Sequence, residues 1–130
     1  MILIVYTALM LGLHLTSWKL VEEWHAVEDN WVKRWLPAMR VLRVEGFYWL
    51  LALGIWPLWP SFTKVLVAVF AAIHIALWIG MEWKRSHDRG LLGDGFLSRK
   101  LEIVVTTFDF VEAFALVALG YSAVRFLLCA

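Results

Sequence analysis

Four stretches of the chain read almost without interruption as apolar, at about 1–21, 44–60, 64–83 and 103–128. A helix needs about 20 mostly apolar residues to cross a bilayer, and each stretch meets or approaches that length. The pattern predicts an all-α integral membrane protein built as a four-helix transmembrane bundle, with residues 1–130 forming a single transmembrane domain. The opening run MILIVYTALMLGLHLTSW has neither a basic leading segment nor a small-residue cleavage site, so it is expected to remain as the first span. Between spans one and two, EEWHAVEDNWVKRWLPAMRVLR mixes charges with Trp24, Trp31 and Trp35. That mixture suits an interfacial helix with its rings at headgroup level, ended by Pro37. The proline-marked connection WPLWPSFTK is short enough to make spans two and three antiparallel neighbours. In the other hydrophilic loop, residues 84–100, GLLGDG lacks the preceding strand and following lysine of a phosphate-binding loop and reads as a turn.

The polar positions inside the apolar stretches recur. HLTSWKLVE at 14–22 and HIALWIGME at 74–82 share His, Trp and Glu at steps of four. VEGFYWLLALG at 44–54 and VEAFALVALG at 111–120 share Val-Glu-small-Phe and then Ala-Leu-Gly. His14, Trp18, Glu22 and Glu45 thereby correspond to His74, Trp78, Glu82 and Glu112, which predicts two tandem two-helix repeats, about 1–60 and 61–130. Because each unit holds an even number of spans, the halves would be related by a pseudo-two-fold axis along the membrane normal. Equivalent residues then share a depth. At a rise of ~1.5 Å per residue, both histidines fall roughly 20 Å from the outer surface and the four glutamates roughly 25–30 Å from it. On an unbroken helix His14, Trp18 and Glu22 share one face, which His25 and Asp29 would extend, and His74, Trp78 and Glu82 share another. In the fourth span Glu102, Thr106, Asp109 and Ala113 form a polar or small stripe with Glu112 beside it.

Composition strengthens the membrane reading. Hydrophobic residues make up 62% of the 130, with nine tryptophans, against roughly 45–50% in a soluble domain. Basic residues set the orientation: Lys19, Lys33, Arg34, Arg40 and Arg43 lie between spans one and two, and Lys84, Arg85, Arg89, Arg99 and Lys100 between three and four. Only Lys64 lies between two and three, so both long loops are expected in the cytoplasm and both termini outside, in a bacterial-type inner (plasma) membrane. A formal charge of +1 offers nucleic acid no basic surface, and the lone Cys129 excludes a disulfide framework or a cysteine metal centre within one chain.

Candidate chemistry follows from cost. Ionisable groups at the centre of a span cost about 2.5–3.5 kcal/mol each, so Glu45, Asp109 and Glu112 require protons, partners or a metal. Two imidazoles and several carboxylates converging in a bundle interior form the kind of site that holds Zn, Fe or Mn. The inner metal set is expected to be His14, Glu45, His74 and Glu112, with Glu22, Glu82, Asp109, Trp18 and Trp78 as supporting groups or an entry path. Both glutamates of the two motifs also lie beside Lys19, Lys84 and Arg85, where solvated ion pairs are the plainer reading, and Glu45 has Arg43 close by in sequence. The function indicated is a pseudo-symmetric site for a divalent metal or protons in the cytoplasmic half of the bundle, serving ion transport or membrane-embedded metal chemistry. Two alternatives stay open. His14 and His74 could be the axial pair of a b-type haem, with Gly12, Ala71 and Ala72 leaving room for the ring. Otherwise the chain is an accessory or structural subunit of a larger membrane complex, its polar residues paired with a neighbour. Membrane lipids are expected partners in every case, and a bundle this small is expected to form a homo-oligomer or join a complex.

Overall fold

The computed structural model describes residues 1–87 and 99–129, and among these no strand occurs. Most of the 84–100 loop, with its GLLGDG turn, lies outside the described residues, as does the side chain of Glu102. The helices are α1 (Ile2–Leu15), α2 (Ser17–His25), α3 (Trp31–Trp35), α4 (Ala38–Gly54), α5 (Ser61–His87) and α6 (Arg99–Cys129), with a turn of 3-10 helix at Trp56–Leu58 between α4 and α5.

Among the described residues, two helices are long and apolar enough to cross a membrane, over Ser61–Lys84 and Ile103–Cys129. The first expected span differs from expectation. It breaks between α1 and α2 with a bend of 58°, so that together the two pieces make at most one bent crossing. At the break the Thr16 hydroxyl bonds the Gly12 carbonyl at 2.8 Å and the Leu13 carbonyl at 3.3 Å, backward bonding of a kind that often accompanies bent helices. The second expected span also shifts. α4 starts at Ala38, six residues before the predicted 44, and its 17 residues include Arg40, Arg43 and Glu45. At ~1.5 Å per residue it is about 26 Å long.

The predicted interfacial helix is two short helices instead of one. Asn30 divides them, accepting from the Lys33 N–H at 2.9 Å as the cap of α3 while its amide donates to the Glu23 carbonyl and carboxylate, both at 2.9 Å. The Trp24 indole donates to the Leu36 carbonyl at 2.8 Å, and the Lys33 ammonium to the Ala26 carbonyl, which ties α2 to the far side of α3. Pro37, expected to end the interfacial helix, is the residue from which α4 starts, its fixed φ of −62° and extended ψ suiting that junction.

The closest helix pairs are α1 with α6 and α4 with α5. Both run antiparallel: Thr7 meets Gly120 while His14 meets Glu112, and Arg43 meets Glu82 while Trp49 stacks on Phe70. The short connection is pinned by Trp59, whose indole donates to the Ala52 carbonyl at 2.8 Å. Met10, Tyr48, Trp49, Ala52, Val67, Phe70, Leu116 and Leu119 fill the core. Polar ties cross it: the hydroxyls of Thr7 and Tyr48 share a bond of 2.9 Å, Tyr6 donates to the Val44 carbonyl at 2.5 Å, and Thr63 meets Ser122 at 3.1 Å. The histidines lie against one end of this core.

Candidate metal centre

Four helices each bring one group to a common point. His14 comes from α1, Glu45 from α4, His74 from α5 and Glu112 from α6. The Nε2 atoms of His14 and His74 each lie 3.1 Å from the same oxygen, Oε2 of Glu112. Glu45 stands further out, 4.0 Å from His14 Nε2 and 3.8 Å from His74 Nε2. His14, His74 and Glu112 are 2%, 3% and 0% exposed, and one ligand atom from each lies within 4.8 Å of the others, a spacing that could hold a metal ion. The Glu45 side chain is 16% exposed and forms the rim.

Hydrogen bonding fixes which ring nitrogens face inward. His14 Nδ1 is 2.8 Å from the Met10 carbonyl and His74 Nδ1 is 2.8 Å from the Phe70 carbonyl, one helical turn back in each case. A carbonyl can only accept, so both Nδ1 atoms carry a proton and both rings turn Nε2 to the centre, a bare acceptor whenever the ring is neutral. Backbone-anchored imidazoles of this kind are typical of metal ligands. Glu112 is oriented too. The Trp49 indole donates to Oε1 at 2.9 Å, which turns Oε2 toward the histidines. Although 3.1 Å apart, His14 Nε2 and Glu112 Oε2 do not meet in hydrogen-bond geometry, and both are buried without a hydrogen-bond partner among the described residues. Groups of this kind normally find a partner, so the pair needs explaining.

The expected supporting residues separate from the centre. Glu82 is held by Arg43, at 2.5 and 2.6 Å, in an ion pair that links α4 to α5. Trp78 lies against Gly46 and Phe47, and its indole reaches Glu82 at 3.4 Å. Trp18 is 51% exposed and Glu22 is also exposed, because the bend at Thr16 ends the face they were expected to share with His14. His25 closes α2, and Asp29 lies beyond it in an exposed pair with Arg34 at 2.9 Å, so neither extends that face. Asp109 is half-buried on α6 one turn before Glu112, and Ala113 beside Glu112 is buried.

A haem does not fit between the histidines. The buried Glu112 carboxylate stands 3.1 Å from both Nε2 atoms, where the macrocycle would have to pass. The residue that sequence reasoning passed over is Trp49. It lies one turn after Glu45 on α4, and that spacing of four was the available signal. No protein family, curated protein or solved structure gives a match to the chain.

Proposed function

We propose that this is a membrane protein of four spans, with both termini outside and both long loops in the cytoplasm, that holds a divalent transition-metal ion on His14, His74 and Glu112. Glu45 closes the fourth position. The observation that carries this reading is the convergence of two imidazole Nε2 atoms on one buried carboxylate oxygen with no hydrogen bond to satisfy His14 Nε2 or Glu112 Oε2. Three acceptors facing one another repel, and a cation at their centre adds an attraction to each that outweighs the repulsion among them. Two neutral imidazoles, two carboxylates and one divalent ion also sum to zero, which suits a site out of reach of water. The donor set of two nitrogens and two oxygens accommodates Zn, Fe or Mn.

The pairing of α1 with α6 and of α4 with α5 supports the duplicated-hairpin reading, because a two-fold axis that exchanges residues 1–60 with 61–130 would interconvert those pairs. Glu45, withdrawn to the rim at 3.8–4.0 Å from the two Nε2 atoms, is the ligand that a substrate would displace, which gives the exchangeable position that metal catalysts keep. Ligands of 0–3% exposure favour a resident ion and chemistry on a lipid-soluble substrate over passage of the ion through the bundle. The chain works as a homo-oligomer or within a larger membrane complex, its outer faces against lipid. A cluster held by protons alone would require both Nε2 atoms to donate to Glu112, and the geometry at His14 weighs against it.

Elemental analysis of protein purified in detergent without chelators tests the proposal. Stoichiometric metal in the native chain, lost in His14→Ala/His74→Ala while helical content is retained, is the expected result. Native protein free of transition metal that also fails to take up Zn2+ or Fe2+ would refute it. Metal flux into liposomes would move the assignment from chemistry to transport.

A further inference from the structure

The Trp49 indole donates to Glu112 Oε1 at 2.9 Å, and both side chains are fully buried. We propose that this bond is the specificity device of the site: it occupies one carboxylate oxygen, so that Glu112 coordinates through Oε2 alone and a four-coordinate ion such as Zn2+ is preferred to a six-coordinate one such as Mn2+. The inference rests on the metal reading above and deepens it by naming the ion class.

An indole nitrogen can only donate, so its position fixes which carboxylate oxygen is engaged. Trp49 has little freedom to turn away. Its ring stacks on Phe70 with centroids 5.5 Å apart and planes at 17°, meets Tyr48 edge-on at 5.2 Å, and lies 5.8 Å from the His74 ring. For Glu112 to grip an ion through both oxygens, the carboxylate would have to rotate Oε1 toward the centre, against an indole that holds that oxygen at 2.9 Å on the other side. The remaining donors are then two Nε2 atoms, Oε2 and an oxygen of Glu45, a set of four. Four ligands rich in imidazole match tetrahedral Zn2+, whereas Mn2+ favours six, mostly oxygen. Partners that orient a metal ligand are typically worth about 10- to 100-fold in affinity.

The test uses the full chain in detergent micelles, stripped of metal and titrated with Co2+ as an optical probe and with Zn2+ and Mn2+. Trp49→Phe keeps an aromatic ring for the stack and removes only the donor. Wild-type protein should give the intense visible bands of four-coordinate Co2+. In Trp49→Phe those bands should weaken as coordination number rises, and the preference for Zn2+ over Mn2+ should fall by about 10- to 100-fold. Loss of packing alone would lower affinity for both metals together without changing their ratio. A six-coordinate Co2+ spectrum in the wild type, readable even if the variant does not fold, would overturn the proposal, as would a variant with unchanged bands and selectivity. If the wild type binds no metal at all, the reading of the site itself fails; binding with unaltered selectivity removes only the role of Trp49.

Discussion

Replacing Gly46 with alanine probes the α4–α5 contact beside the candidate metal centre. A Cβ at position 46 would sit 2.5 Å from Trp78 Cε3 and 3.2 Å from two further ring atoms, against 3.4–4 Å for ordinary contact, a shortfall of about 0.9 Å. The obstacle is a rigid indole, held on one side by Phe47 at 5.0 Å between centroids and tied to Glu82 at 3.4 Å, which is itself clamped by Arg43. Overpacking of this kind costs typically about 1–3 kcal/mol. The first 1–2 kcal/mol of that amounts to about 5- to 30-fold in the folding equilibrium. Reversible unfolding in mixed micelles, followed by circular dichroism, measures the cost directly. The same substitution should change sign once the ring is removed: in a Trp78→Leu background, Gly46→Ala should be neutral or stabilising by up to about 0.5–1 kcal/mol, because alanine favours the helix over glycine. Equal effects of Gly46→Ala in both backgrounds would refute the steric argument, since the three atoms nearest the added methyl group all belong to the indole.

Three further outcomes are expected. Asn30→Ala removes the cap of α3 and the two bonds to Glu23, and should cost about 0.5–2 kcal/mol, with faster amide exchange confined to 26–36. Thr7→Val strips the buried Tyr48 hydroxyl of its partner at a cost of about 1–3 kcal/mol, whereas Thr7→Val combined with Tyr48→Phe should cost less than the sum of the single changes, a difference read by a double-mutant cycle. Acidification should release the bound metal and return to neutral pH should restore it, because imidazole and carboxylate ligands bind only when deprotonated; metal content after equilibration at stepped pH checks the direction, and retention at the acid limit of folding would contradict the assignment of His14 and His74.

Local composition was enough to determine the helical, apolar character of the chain and the residues that could not be left bare within it. Runs such as 64–83 and 103–128 hold so few charges that a membrane-length helix follows from transfer cost alone, and the structure has helices over both. The same cost marked Glu45, Asp109 and Glu112 as groups needing partners, and the recurrence of His14 as His74 and of Glu45 as Glu112 pointed to a shared layer. Tertiary structure decided which partners they found. The chain bends by 58° at Thr16, whose hydroxyl bonds the Gly12 and Leu13 carbonyls, a local geometry that hydropathy does not register, and with it Trp18 and Glu22 leave the face of His14. Arg43 took Glu82, a residue 39 positions away, because antiparallel packing of α4 on α5 brings distant residues closer than sequence neighbours. Trp49 gained its place at Glu112 in the same way, across 63 positions. Periodicity reports which groups a helix presents on one side, but the angle and register at which helices meet decide which of them touch, and a coordination site exists only at that second level.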